Sequence, residues 1–311
     1  MIDNDFTFFW SVGQALLHGQ NPYTLVLFAK LVYPPALLPL FVLFALISKN
    51  VSFILFTILN LAMLLDLIFE KPYRRSNLLW LLFVPTLYVL IVGQLDILFV
   101  WIAKKFIKKR WWSVFPAAFL MLKPQLAVLL LPITIIDWLK NDRRSLAAWS
   151  AITLALYGLP VVLSPQFVTG WLGETRAAAN LYFIGSPGIF SLALQGPLQI
   201  LLFGGAAAIL GGALFLPPQA LSAALLTATP LGAWYNQTIL TAQAPVKILV
   251  PISWLAMGLA AALKATYPFI LVPLSALGWY VWTQRRDPQP TLLDWLRASG
   301  EPGARGERQT Q

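Results

Sequence analysis

The sequence predicts an all-α fold, a polytopic transmembrane helical bundle of about ten spans with some helices short and broken. Three observations predict it. Hydrophobic residues make up 59% of the 311 positions and charged residues only 11%, against about 25% charged in a soluble domain. The apolar residues fall in runs near the roughly 20 that one span requires. The basic residues stand in short clusters between those runs, which is the positive-inside pattern.

Residues 1–32 are mixed and amphipathic and hold no spanning run, so they read as a first extracytoplasmic loop carrying an amphipathic helix. Tyr33-Pro34-Pro35 opens an apolar stretch that reaches Phe69 and is broken at Ser48-Lys49-Asn50, predicting helices over 34–48 and 51–69. Beyond Lys71-Pro72-Tyr73-Arg74-Arg75, residues 78–103 are apolar apart from Gly93-Gln94-Leu95-Asp96. The densest basic cluster follows: Lys104, Lys105, Lys108, Lys109 and Arg110. Residues 111–139 are apolar with Lys123-Pro124-Gln125 in their middle. Proline lacks the backbone donor and clashes with the preceding turn, so a hairpin or broken helix is expected there. After Arg143 and Arg144 come a span near 146–163 and a polar loop, 164–190, with Glu174, Arg176 and Asn180. Further helices are expected near 198–216, 221–240, 246–263 and 267–283. The chain divides into one membrane domain, 1–283, and a polar tail, 284–311, whose Gly, Pro and mixed charges predict disorder.

The clusters at 104–110 and 140–144 are expected on the cytoplasmic side, which puts 164–190 on the other. Counting 78–103 as one crossing puts 1–32 there too, together with Lys71, Arg74, Arg75, Arg285 and Arg286. No cleavable signal peptide is expected, because Met1 to Asp5 is acidic and is followed by aromatics.

Composition narrows the chemistry. A net charge of +10 in a soluble protein would suggest nucleic acid, but here the membrane is the expected partner. With no cysteine and His18 the sole histidine, thiolate chemistry and a His/Cys zinc site are excluded, and no metal or cofactor is expected. No Gly-rich phosphate loop is present, which points away from a nucleotide donor.

Several polar groups interrupt the apolar pattern. Asp3 and Asp5 stand beside Phe6, Phe8, Phe9 and Trp10. They read either as an acidic end next to an interfacial aromatic belt or as a general base held at the membrane surface. Asn21-Pro22-Tyr23 and Tyr33-Pro34-Pro35 are two aromatic-proline turns, either loop punctuation or a rigid substrate wall. Gln94 and Asp96 break one apolar segment, and Lys123 and Gln125 break another. An ionisable group at membrane depth is costly and is by default a functional-site hypothesis. Lys123 reads as a holder of a lipid-carrier phosphate or as a lysine snorkelling to the headgroups. Asp96 reads as its partner or as a satisfied buried acid. Tyr235-Asn236-Gln237, beside Trp234, reads as a loop with interfacial aromatics or as part of the same site.

Taken in order, these pieces resemble the GT-C superfamily, and within it the polyprenol-phosphate-mannose-dependent transferases of glycosyltransferase family 87. The resemblance is carried by Asp5-Phe6, Ala15-Leu16-Leu17, Gly19-Gln20-Asn21-Pro22-Tyr23 and Tyr33-Pro34-Pro35. It continues through Gly93-Gln94, Leu122-Lys123-Pro124 and a degenerate segment from Pro230 through Tyr235-Asn236 to Leu240. It implies a GT-C fold in the bacterial plasma membrane, transferring a hexose, mannose in the family, from a polyprenyl-phosphate donor to a lipid or glycan acceptor on the extracytoplasmic side. It implies Asp5 as base, with Asp3 as fallback. Asn21, Tyr23, Tyr33, Gln94, Asp96, Lys123, Gln125, Tyr235 and Asn236 become the candidate substrate-binding set. The chain departs from the family in three ways. Members carry a membrane helix ahead of the acidic loop, so either this sequence starts short of that helix or the helix is lost. They also often carry Asp where Asn236 stands, and a non-acidic residue where Asp96 stands. Two other readings fit the same pattern, a transporter or lipid flippase and an inactive member of the transferase family.

Overall fold

A computed structural model describes residues 4–24, 31–70, 75–107, 111–185, 188–189, 199–229, 233–241 and 245–298. The described residues are helical, with no strand among them. Helix α1, Asp5–Leu17, starts where the Asn4 side-chain oxygen Oδ1 accepts from the Thr7 amide and hydroxyl, satisfying a donor that an uncapped helix start leaves open. It ends at Gly19, which takes a left-handed φ of +70°. Helix α1 packs along α2, Leu38–Ala45. The approach is close because Gly13 lies against the Phe41 carbonyl, where any side chain would collide. Phe9 stacks on Phe41 with centroids 4.8 Å apart. Phe6 sits among Phe44, Phe53 and Phe56.

Two helices match their expected ranges closely: α3, Lys49–Ile68, and the later α13, Val246–Leu263. The apolar run 78–103 instead folds as a 3-10 helix over Arg75–Leu82, then α4, Val84–Val92, and α5, Asp96–Phe106. Between α4 and α5 the chain turns by 115°. Gly93 makes the turn, with φ +72°, a conformation that costs residues with a Cβ. The run 111–139 is likewise cut, into α6, Val114–Leu120, α7, Pro124–Leu130, and α8, Pro132–Asn141. Pro124 and Pro132 each sit at the first position of a helix, where their missing N–H costs nothing. Asp142 caps α9, Arg143–Leu163, by accepting from the Ser145 amide, and these hydrogen bonds hold its carboxyl below the usual carboxylate range.

Residues 165–185 correct the expected polar loop, because they form α10, Pro165–Gly185. Leu172, Glu174, Arg176 and the alanines 177–179 are good helix formers. Trp171 donates to the Val32 carbonyl and Gly170 lies against Tyr23, so α10 packs onto the segment that precedes α2. The expected helix 221–240 is also divided. After α11, Gln199–Ala213, comes α12, Ala220–Ala228, and then a separate 3-10 helix over Trp234–Leu240. Pro230 and Gly232 stand between the two in the sequence and are strong breakers. Helix α14, Leu271–Arg286, is followed by α15, Leu292–Ala298. The tail reading is therefore corrected up to residue 298. Leu292 is buried, and the Leu292 and Leu293 amides donate to the Leu216 and Leu214 carbonyls.

Three described helices are long and apolar enough to cross a membrane: α3, α9 and α13. Counting the bent pair α4–α5 as one span makes four. Proline and glycine cut the other apolar runs into pieces too short for the same test. Helix α9 keeps its apolar side chains on the surface, with Leu154 73% and Val162 79% exposed. Water solvates such a face poorly, and lipid solvates it well.

The reversal at Gly93 also sets which helix ends meet. Lys105 pairs with Asp66 at 3.2 Å and Glu70 at 3.6 Å, and Trp101 donates to Asp66. The end of α5 therefore lies against the end of α3. Lys140 donates to the Leu296 carbonyl, and Arg286 shares a cleft with Trp295, which brings the ends of α8 and α14 to one element. The basic residues Lys71 and Arg74 lie outside the described residues.

A Cβ built on Gly93 would stand 2.6 Å from the Phe6 Cβ. Gly93→Ala is expected to lower stability by about 2 kcal/mol or more through overpacking and left-handed strain, read as a fall in the thermal midpoint of detergent-purified protein. An unchanged midpoint would contradict this packing.

Candidate functional site

The breaks in the helices meet. Gln94 lies in the α4–α5 reversal, Asp96 opens α5, Lys123 occupies the gap between α6 and α7, and Asn236 lies in the 3-10 helix that packs beside α4 and α5. Asp5, at the start of α1, completes the group. The Lys123 ammonium is 2.5 Å from Asp96 Oδ2. Asn236 Nδ2 donates to Asp96 Oδ1, so both carboxylate oxygens are engaged. Gln94 connects the rest. Its Nε2 donates to Asp5 Oδ2 at 2.7 Å, while its Oε1 accepts from the Tyr33 hydroxyl at 3.1 Å and from Lys123 at 3.4 Å. The Tyr33 and Tyr235 rings flank the ammonium, each centroid 5.8 Å away.

Local structure explains these positions. Gly93 lets Phe6 approach the reversal, which carries Asp5 over Gln94. Pro124 ends the preceding turn, leaving Lys123 outside any helix, with φ −125° and ψ 79°. The Tyr157 hydroxyl of α9 donates to the Met121 carbonyl and fixes the gap from the other side. The Asn21 side chain accepts from the Tyr23 amide, and the Tyr23 hydroxyl donates to the Tyr33 carbonyl at 2.7 Å. The two aromatic-proline turns are thus tied together, and Tyr33 is held in the site.

Asp96 and Lys123 are buried, with relative exposures of 0% and 3%. Removing one member of such a pair leaves an uncompensated charge, whereas replacing both with apolar groups is far cheaper. Asp5 is different. It lies outside the candidate spans, at the border of the cluster, and burial raises its pKa above the usual Asp value. The Gln94 hydrogen bond and Lys123 oppose that shift, and Asp96 adds to it. Gln94 holds Asp5 through Oδ2, whereas both oxygens of Asp96 are engaged by Lys123 and Asn236.

The structure thus brings together Asp5, Tyr33, Gln94, Asp96, Lys123, Tyr235 and Asn236. Asn21 and Tyr23 act one step away, through Tyr33. Gln125 is half-buried and joins none of these hydrogen bonds. Asp3 lies outside the described residues. Two contributors carry no signal in the sequence. Tyr157 sits in an unbroken apolar helix. Tyr88 sits in the apolar run of α4, yet its ring stacks on Tyr235, with centroids 5.6 Å apart. Among the described residues no three His, Cys, Asp or Glu side chains gather as a metal site would require. Compared with known proteins, the chain matches no family model, no curated protein and no solved structure.

Two predictions follow from the geometry. Lys123→Met alone is expected to cost about 3–5 kcal/mol, and the double variant Asp96→Leu/Lys123→Met to recover most of it. Thermal unfolding of both singles and the double checks this, and simple additivity would contradict the pairing. For Asp5, a raised folded-state pKa means that its contribution to stability is present at low pH and lost as the pH rises through that value. Asp5→Asn is therefore expected to be more thermally stable than the parent at pH 7, with the gain vanishing in acid. A stability difference independent of pH would contradict the burial of this carboxyl.

Proposed function

We propose that the protein is an integral membrane glycosyltransferase of GT-C type. It moves a hexose, mannose by the resemblance, from a polyprenyl-phosphate donor to a lipid or glycan acceptor on the extracytoplasmic side. The observation that carries the reading is the meeting of Asp5, Gln94, Lys123 and Asn236. These residues belong to the ordered motif set of the resemblance, are spread over most of the chain, and share one hydrogen-bonded cluster. The exposed apolar faces and the candidate spans support a membrane setting.

The chemistry assigns each residue a part. A lipid-phosphate donor stays in the bilayer, so the catalyst has to meet it there. Asp5, at the border of the cluster, takes the proton from the acceptor hydroxyl. The acceptor oxygen forms its bond to the anomeric carbon as the bond from that carbon to the phosphate oxygen breaks, and the phosphate leaves with the bonding pair. Lys123 offers its remaining N–H to that phosphate while Asp96 and Gln94 hold the ammonium in place. A preorganised cation of this kind acts most strongly where charge develops.

Broken spans around buried polar groups would also suit a transporter or flippase. Radiolabelled polyprenyl-phosphate sugar supplied to purified protein in detergent separates the classes, because only a transferase moves the label to an acceptor or to water without two compartments. Asp5→Asn is expected to lower that transfer by about 100- to 10,000-fold with little change in donor binding. The acid limb of the rate profile is expected above the ordinary Asp value of about 3.9. Near-full transfer by Asp5→Asn would remove Asp5 from the reaction, and no transfer by the parent protein to any acceptor would remove the transferase reading.

A further inference from the structure

One wall of the cluster is aromatic, and the transfer chemistry gives it no part. Helix α4 runs along the 3-10 helix Trp234–Leu240, which puts Tyr88 4.5 Å from Trp234 and 5.6 Å from Tyr235, centroid to centroid. All three rings are half-buried, so each keeps part of its surface accessible. They join the polar cluster through Tyr235. The Tyr235 ring lies 5.8 Å from the Lys123 ammonium, and Tyr88 stacks on Tyr235.

The wall is fixed in place. Trp234 stacks on Phe269 with centroids 4.4 Å apart. The fully buried Gln237 donates to the Phe269 carbonyl at 2.8 Å, and its neighbour Asn236 is anchored on Asp96. Aromatic rings at an ordinary membrane interface sit at headgroup level on the outside of the helices. These rings are instead continuous with a buried hydrogen-bonded core. Rigid aromatic side chains offer contact area at little cost in conformational entropy.

A flat aromatic face beside a carboxylate, an amide and an ammonium matches an amphipathic ring. A pyranose has such a shape, with C–H bonds crowded on one face and hydroxyls around the rim. The partly positive C–H groups favour the electron-rich face of an aromatic ring, and the hydroxyls require acceptors and donors of the kind Asp5 and Gln94 supply. We propose that Tyr88, Trp234 and Tyr235 form the platform on which the hexose of the lipid-linked donor stacks, its apolar face on the rings and its hydroxyls toward Asp5 and Gln94. The proposal rests on the donor reading given above and adds the group that selects a sugar-bearing lipid over the bare lipid phosphate. Tyr88 and Trp234 become specificity residues that touch the sugar and leave the phosphate to Lys123.

The test compares two probes on full-length protein in detergent: polyprenyl-phosphate mannose and polyprenyl phosphate without sugar. Tyr88→Leu and Trp234→Leu keep apolar bulk and remove the ring. Each is expected to weaken binding of the sugar-bearing lipid by about three- to tenfold and to leave the sugar-free lipid within about twofold of the parent. Trp234→Phe keeps an aromatic face on Phe269 and is expected to retain most of the affinity, which provides a folded comparator should a leucine variant unfold. Equal losses for both lipids, or no loss for either, would overturn the platform and leave the donor reading standing. Failure of the parent protein to bind either lipid would overturn the donor reading itself and the platform with it.

Discussion

The ion pair between Lys123 and Asp96 constrains everything around it. Neither charge is tolerable alone at full burial, so the segments that carry them have to arrive together and in register. The pair draws the gap between α6 and α7 against the first turn of α5. Asn236 completes the carboxylate's hydrogen bonds and brings in the 3-10 helix from the far end of the sequence. Gln94 extends the network to Asp5 and Tyr33. A buried pair of this kind is weak evidence for stability in itself. Its effect here is to specify one arrangement of short segments that hydrophobic packing alone would leave loosely defined.

That role explains why the breaks matter more than the spans. Gly93 and Pro124 each interrupt a run that would otherwise continue as helix, and each interruption frees one polar side chain to face the same point. The aromatic packing of Phe6, Phe44, Phe53 and Phe56 then sets the height at which α1 delivers Asp5. The tie between Tyr23 and Tyr33 serves the same purpose on the opposite wall.

Much of this was legible in the sequence because the informative residues were anomalies. Gln94, Asp96 and Lys123 interrupt apolar runs, and a buried polar group needs a partner, so a meeting among them was a fair expectation. The all-helical character followed from composition. The number of spans did not, because counting apolar residues treats a run with a glycine or proline in it as one crossing, whereas Gly93 turns the chain by 115°. Helix α10 was missed because polarity suggested a loop, although Glu174, Arg176 and the alanines favour helix. The C-terminal helix was missed because its anchoring depends on the Leu214 and Leu216 carbonyls, which no local pattern reveals. Tyr88 and Tyr157 were invisible for a related reason: an aromatic residue in an apolar helix signals its role only once its neighbours are known.

The separation of the two paired charges along the chain also bears on how the protein enters a bilayer. Asp96 and Lys123 belong to different broken runs, with the basic segment beginning at Lys104 between them. An ionised Asp or Lys at the centre of a helix opposes translocon-mediated insertion by about 2.5–3.5 kcal/mol, so neither run partitions well while it waits for the other. The two runs have to be held at the insertion machinery or at the interface until both have been synthesised and their charges can cancel. Stable integration of this region therefore depends on both runs being present, because each charge is compensated only by the other.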